Sequence, residues 1–369
     1  MARKLKADKV LFLATLLLVC ASVLMVYSAS AVLAMDRYQQ PYLFLGKQLT
    51  WAVLGVFLFW IVMRIDYRSY RQPIVIWTGL GVVGLALVAV LFSAPIHGTR
   101  RWFGGGFIGV QPSELAKLAL IVFTAAILER RMDRVGDAPH ALLPIGIVAG
   151  LMAGLIVAQP DYGTAATLLL IAGGMIFVAG LPYRYIAGLA LTIVPIAYLV
   201  LISAGYRRQR LLAFLDPWSD PLGGGFQIIQ SLIAVGTGGV FGRGLMAGVQ
   251  KLFYLPEPHT DFIYAVIAEE LGFVGATAVL ACFCLIAWRG LRTAARAPDR
   301  FGAFLAIGVT LMIAVQAFMN ISVVLGIMPT KGIPLPLVSA GGSSLLITLV
   351  GMGMLVNVSQ HATLPPDGA

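Results

Sequence analysis

The stretch "YLPEPHTDF" places Glu257, His259 and Asp261 within five positions. Glu269 and Glu270 follow in a run that is otherwise apolar. A carboxylate at an apolar boundary can have its pKa raised by desolvation and serve as a general base. The plainer reading of Asp261 is a helix cap, because Thr260 or Asp261 stands where first-turn N–H groups need an acceptor. A cap needs one residue, whereas three ionisable ones cluster here. Groups that could meet an anion lie elsewhere: Arg100 and Arg101 in "GTRRWFGGG", and Arg207, Arg208 and Arg210 in "YRRQR". Guanidinium pairs match phosphate with a planar fork. Snorkelling contact with lipid headgroups is the bland alternative.

The deeper acids raise a separate question. Along a helix, Glu269 lies roughly 12 Å beyond Asp261. Intramembrane acids are costly and normally face a partner inside a bundle. Lys117 is the basic residue in mid-helix, with Glu114 three positions before it, a spacing that brings side chains together. The expected pairing is a buried network of Glu114, Lys117 and Glu269 or Glu270. Further polar candidates are Asp161 in "QPDYG", Lys331 in "GIMPTKGIPLP" and Ser343 in "LVSAGGSSLL". The run "GTGGVFGRG" could form an anion nest, but it lacks the Lys-Ser/Thr of a Walker loop. No nucleophile elbow, zinc-protease motif or dinucleotide fingerprint is present.

These residues must be positioned by membrane helices. Hydrophobic residues make up 59% of the chain and charged ones 11%, which places it in the membrane class. Ten stretches are long and apolar enough to span a bilayer: 10–34, 48–63, 73–94, 113–128, 141–158, 164–183, 185–204, 262–288, 302–326 and 336–358. The second and fourth are short. With a cytoplasmic N-terminus, fifteen Lys/Arg fall inside and ten outside, with Lys117 in the membrane. That asymmetry is the ordinary topology signal. It accounts for most of the net charge of +10 without invoking nucleic acid. The uncharged run from Val10 to Ala34 exceeds a signal-peptide core, so the first helix is expected to be retained. Cys20, Cys282 and Cys284 all fall in spans and read as buried filler rather than as a metal or disulfide framework.

The chain is thus read as an all-α integral membrane protein in one polytopic domain, 1–369. It is a bundle of about ten transmembrane helices with a long extracytoplasmic loop, about 205–260, between helices 7 and 8. Within that loop an interfacial or re-entrant helix is expected around 226–235. An eleventh span there would carry seven glycines in twenty residues and break the charge rule.

Taken together, "RRWF", "VQPSELAKLAL", "QPDYGTAATL", "LPEPHTDFIYAVIAEELGFVG" and "PTKGIPLPLVSAGGSSLL" resemble the SEDS family of peptidoglycan glycosyltransferases. The resemblance covers essentially all ten spans. "QKLFYLPE" and "MPTKG" are more similar to its division-type than its elongation-type members. Ala340 departs from the Tyr that many members carry before "GGSS". The resemblance implies polymerisation of lipid II into glycan strands outside the cytoplasmic membrane. Asp261 would be the catalytic base and Trp102 a further motif position. Arg100 and Arg101, or a divalent cation (Mg or Mn) of unknown ligands, would offset charge on the lipid pyrophosphate. It also implies a class B penicillin-binding protein transpeptidase and other division proteins as partners, and no organic cofactor. Both termini would be cytoplasmic and the active site extracytoplasmic. The competing readings are a lipid II flippase, which should hold its polar site near the midplane at broken helices, and a non-catalytic division scaffold.

Overall fold

The computed structural model describes residues 7–95, 99–104, 109–131, 138–180, 185, 188, 191 and 212–362. Within these the secondary structure is helical, apart from bridge residues at Thr99 and in the isolated antiparallel pair Phe103 and Val110. The helices are α1 (Lys9–Tyr38), α2 (Leu43–Val62), α3 (Pro73–Ala89), α4 (Pro112–Arg131) and α5 (Ala138–Ala158). They are followed by α6 (Tyr162–Val178), α7 (Phe226–Gly238), α8 (Ile263–Ala295), α9 (Arg300–Val324) and α10 (Gly342–Gln360). Nine expected spans coincide with α1 to α6 and α8 to α10, while the seventh, 185–204, lies largely outside the described residues. The short second and fourth spans prove longer than their apolar cores, because α2 starts at Leu43 and α4 runs to Arg131.

Helix boundaries follow local chemistry. Asp8 caps α1 by accepting from the Val10 and Leu11 N–H groups, and Asp161 and Asp299 do the same for α6 and α9. Proline opens α3 and α4, where its missing N–H costs nothing. α9 and α10 are buried over most of their length and form the centre of the bundle. Small residues let neighbours approach closely. A Cβ on Gly342 would lie 2.3 Å from Trp51 of α2, one on Gly55 2.6 Å from Leu349, and one on Gly308 2.5 Å from Ile121. By contrast, α1, α2, α3 and α8 expose large apolar side chains such as Leu13, Phe57, Trp77 and Phe273. The protein is a multi-pass membrane protein. Cys20 and Cys284 also lie on exposed faces, so they are not the buried filler expected. They sit on the sides of α1 and α8 turned away from the bundle.

α8 is not one continuous helix. Gly272 has φ 67 and ψ −165, and the carbonyls of Glu269 and Glu270 accept from the N–H groups of Arg243 and Gly244 at 3.0 Å each. In return Phe273 and Val274 donate to the carbonyls of Gly239 and Val240. The glycine-rich run is therefore a backbone wrap around a broken helix, not an anion nest. A Cβ on Gly242 would come within 2.1 Å of the Glu270 carbonyl and one on Gly238 within 1.9 Å of that of Ala268. The expected helix in the long loop is present as α7, docked on α9 through Ser231 Oγ donating to Val324 O at 2.8 Å.

Candidate active site

Asp261 is half-buried, just before α8, whose cap position falls on Phe262. The main chain around it is pinned residue by residue. Ala340 N–H donates to His259 O at 2.9 Å, Ser339 Oγ to Thr260 O at 2.5 Å, and Asn320 Nδ2 to Asp261 O at 2.7 Å. The same Asn320 amide donates to Ile333 O at 2.8 Å, so α9 ties the Asp261 loop to the loop of Lys331. A Cβ on Gly332 would fall 2.9 Å from Asp261 Oδ2. Glycine there lets the carboxylate lie against the main chain beside Lys331. Such fixing of a reactive group by its surroundings is what keeps it in a productive geometry.

The neighbouring ionisable groups differ in kind. His259 is buried against the Phe44 ring, with centroids 4.7 Å apart. Burial pushes its pKa below the usual histidine value, partly offset by Glu257, so the ring is neutral near pH 7. Burial likewise lowers the Lys331 ammonium from its ordinary value. Glu257 is exposed, with positive φ (51), and accepts from the Thr260 hydroxyl at 3.3 Å.

A second cluster abuts the first through Ile333. A Cβ on Gly163 would lie 3.1 Å from Ile333 Cγ1. Here Asp161, buried, takes the Thr164 N–H and hydroxyl and the Gln111 amide at 2.8 to 3.1 Å. Arg101 donates to the carbonyls of Gln159 and Pro160 and stands 4.0 Å from Asp161. Its guanidinium therefore braces this loop rather than presenting a free fork. Arg100 is exposed, with one nitrogen on Leu91 O at 2.9 Å. Trp102 packs near Gly109, where an added Cβ would lie 3.3 Å from its ring. Ser343 donates to Gly109 O and accepts from Gln111 N–H, fastening this hairpin to the start of α10. Arg207, Arg208 and Arg210 lie outside the described residues.

The deep acids pair differently from expectation. Lys117, buried, bonds Glu114 at 2.8 Å within α4. With its amide oriented to satisfy both ends, Gln316 of α9 accepts from Lys117 at 2.5 Å. Neither Glu269 nor Glu270 joins this network. Glu270 instead meets Lys251 at 2.5 Å, Ser28 Oγ at 2.7 Å and the Met246 N–H at 3.0 Å. Glu269 accepts the Val249 and Gln250 N–H groups and stands 3.7 Å from Arg243. The reason is the wrap at the α8 break, which carries two cations into reach of these acids. Lys251, Ser28, Asn320 and Ser339 were not expected from the sequence. Asn320, an amide inside the apolar run "VQAFMNISVV", was the readable signal. Among the described residues no three His, Cys, Asp or Glu side chains gather as a metal site.

This arrangement can be set beside known proteins. The family model described as "Cell cycle protein", covering FtsW, RodA and SpoVE, matches residues 8–364. A probable peptidoglycan glycosyltransferase FtsW of Geobacter sp. (strain M18) is 42% identical over 95% of this chain and 96% of its own. Stage V sporulation protein E of Bacillus subtilis (strain 168) is 42% identical over 98% and 99%. A structure described as "Structural coordination of polymerization and crosslinking by a peptidoglycan synthase complex" matches with TM-score 0.79 and 34% identity, covering 96% of this chain and 98% of that one. By a family match over nearly the whole length and by relatives this similar, the chain belongs to the FtsW/RodA/SpoVE family of cell cycle proteins.

Proposed function

We propose that the protein is an inverting peptidoglycan glycosyltransferase that polymerises lipid II during cell division, with Asp261 as general base. The observation that carries this reading is the Asp261 carboxylate lying against Gly332, next to Lys331, on a main chain pinned at His259, Thr260 and Asp261. Asp261 takes the proton of the acceptor GlcNAc 4-hydroxyl as its oxygen attacks the anomeric carbon of the donor. The bond from that carbon to the lipid pyrophosphate breaks, and the pyrophosphate leaves with the electron pair. Arg100 and Lys331 are the cations best placed by chain position to offset its charge, with Arg207 and Arg208 as further candidates. Arg101, Trp102, Asp161 and Ser343 hold the surrounding loops, and Glu257 and His259 shape the loop that carries Asp261.

The described residues do not fit a cage for a resident ion. A divalent cation enters the proposal only as one that would arrive with the substrate's phosphates, with Glu257, the exposed carboxylate on the Asp261 loop, available to it. It would neutralise pyrophosphate charge there, and no step above depends on it. The "peptidoglycan synthase complex" of the similar structure supports a class B penicillin-binding protein as crosslinking partner, alongside other division proteins.

One observation favours a second reading. A broken helix with buried acids and a cation inside a membrane helix is a feature a transporter would show, and the first third of α8 has it. Purified protein in detergent, with no compartments to separate, decides between them. Glycan strands formed from lipid II support the polymerase, and their absence with an active transpeptidase partner present would leave the flippase.

Sidedness belongs to the same proposal: both termini in the cytoplasm of a bacterial cell, Asp261 outside. In a background lacking Cys20, Cys282 and Cys284, a Ser219→Cys variant should react with a hydrophilic thiol reagent added to intact cells. An Ala294→Cys variant should not. The opposite labelling pattern would place Asp261 in the cytoplasm and end the polymerase reading.

A further inference from the structure

The end of the bundle opposite Asp261 holds a cleft that the chemistry above does not use. It has a volume of about 570 Å³ and is lined by Arg68, Arg71, Gln72, Pro73, Glu129 and Arg130. It forms where the 3-10 turn Tyr67–Arg71 and the start of α3 meet the last turn of α4. Three guanidiniums face one carboxylate in this lining, so it carries excess positive charge. Arg68 is fixed from behind, its Nε bonding Asp299 at 3.1 Å beside the Tyr67 hydroxyl on the same oxygen. Arg71 bonds Glu129 at 3.0 Å across the cleft with its side chain 48% exposed. Such an exposed pair contributes little, so Arg71 can turn to another anion at small cost. Arg130 is exposed and has no partner among the described residues. Gln72 gives α3 no side-chain cap, which adds the positive end of a helix dipole to the same opening.

Just beyond Pro73 the surface turns apolar. Ile74 is 71% and Trp77 64% exposed on the first turns of α3. A basic pocket that opens directly onto a lipid-facing helix selects an amphiphile with an anionic head rather than a free solute. We propose that this cleft binds the phosphate headgroup of an anionic phospholipid, with an acyl chain lying along Ile74 and Trp77. Arg71 and Arg130 would take the phosphate oxygens, and Arg68 would be the fixed wall behind them.

The experiment uses the purified full chain in neutral detergent, titrated with phosphatidylglycerol, phosphatidylcholine or inorganic phosphate. Binding is followed by native mass spectrometry and by thermal unfolding. Phosphatidylglycerol should remain as discrete adducts and raise the melting temperature, whereas phosphatidylcholine and phosphate should not. The double variant Arg71→Gln/Arg130→Gln changes two exposed side chains and should bind phosphatidylglycerol about tenfold or more weakly, the scale set by losing two guanidiniums beside an anionic head. Arg64→Gln, outside the cleft lining, should leave binding unchanged. Equal weakening by Arg64→Gln would reduce the effect to general surface charge and overturn the site. So would a double variant that binds as the parent does, or phosphatidylcholine that matches phosphatidylglycerol. Inorganic phosphate stabilising as well as the lipid would replace it with a simple anion site.

Discussion

Asp261→Asn is expected to fold and insert as the parent does, yet to make essentially no glycan from lipid II. The substitution keeps shape and removes the base. The backbone pins on His259, Thr260 and Asp261 use carbonyl oxygens and are untouched by it. A positioned general base contributes about 10²–10⁴-fold to a rate, so residual polymerisation should be at or below roughly 1% of the parent. Asp261→Ala should behave alike, since what is lost is proton acceptance rather than packing of a half-buried side chain. The measurement is glycan formed from lipid II, with the melting temperature as a control for folding. A well-folded Asn variant polymerising at more than a few per cent of the parent rate would remove Asp261 from the mechanism.

The membrane helices were legible because each is a long, nearly uncharged run, and its start is often marked by Pro or a capping Asp in the same few residues. Asp261 stood out from the capping carboxylates Asp8, Asp161 and Asp299 only because Glu257 and His259 crowd beside it, where a cap needs one residue. The pairing of the deep acids was not. Lys251 precedes Glu270 by nineteen residues, and only the detour of the 238–251 backbone around the α8 break brings them together. The signal for that detour is the spacing of Gly238, Gly242 and Gly272, whose missing side chains make room for one another's main chain. Arg101 misled for a related reason. Its sequence context, a pair of arginines in a polar loop, resembles an anion fork, whereas its partners are carbonyls in a loop some sixty positions on. The fold thus decides which cations remain for substrate, and charge patterning cannot see that decision.

The same network predicts an asymmetry between its two partners. Glu270→Ala should destabilise the protein by about 3–5 kcal/mol, the usual cost of stranding a buried charge. Lys251 would be left 5% exposed with Ser28 Oγ at 2.9 Å, and the Met246 N–H would lose its acceptor. Lys251→Met should cost less, because Glu270 keeps the Ser28 hydroxyl and the Met246 N–H as hydrogen-bond donors. The pair Glu270→Ala/Lys251→Met removes both charges at once and should recover part of the loss, since no buried charge is then left stranded. Thermal unfolding of the four proteins in one detergent gives the coupling energy directly. Activity should follow stability only in part: Lys251 begins the segment that ends at Asp261, so the single variants should also lose polymerase rate at temperatures where they remain folded. Single-variant losses that simply add in the double variant would mean that Lys251 and Glu270 do not act as a pair, and that the break in α8 is held by its glycines alone.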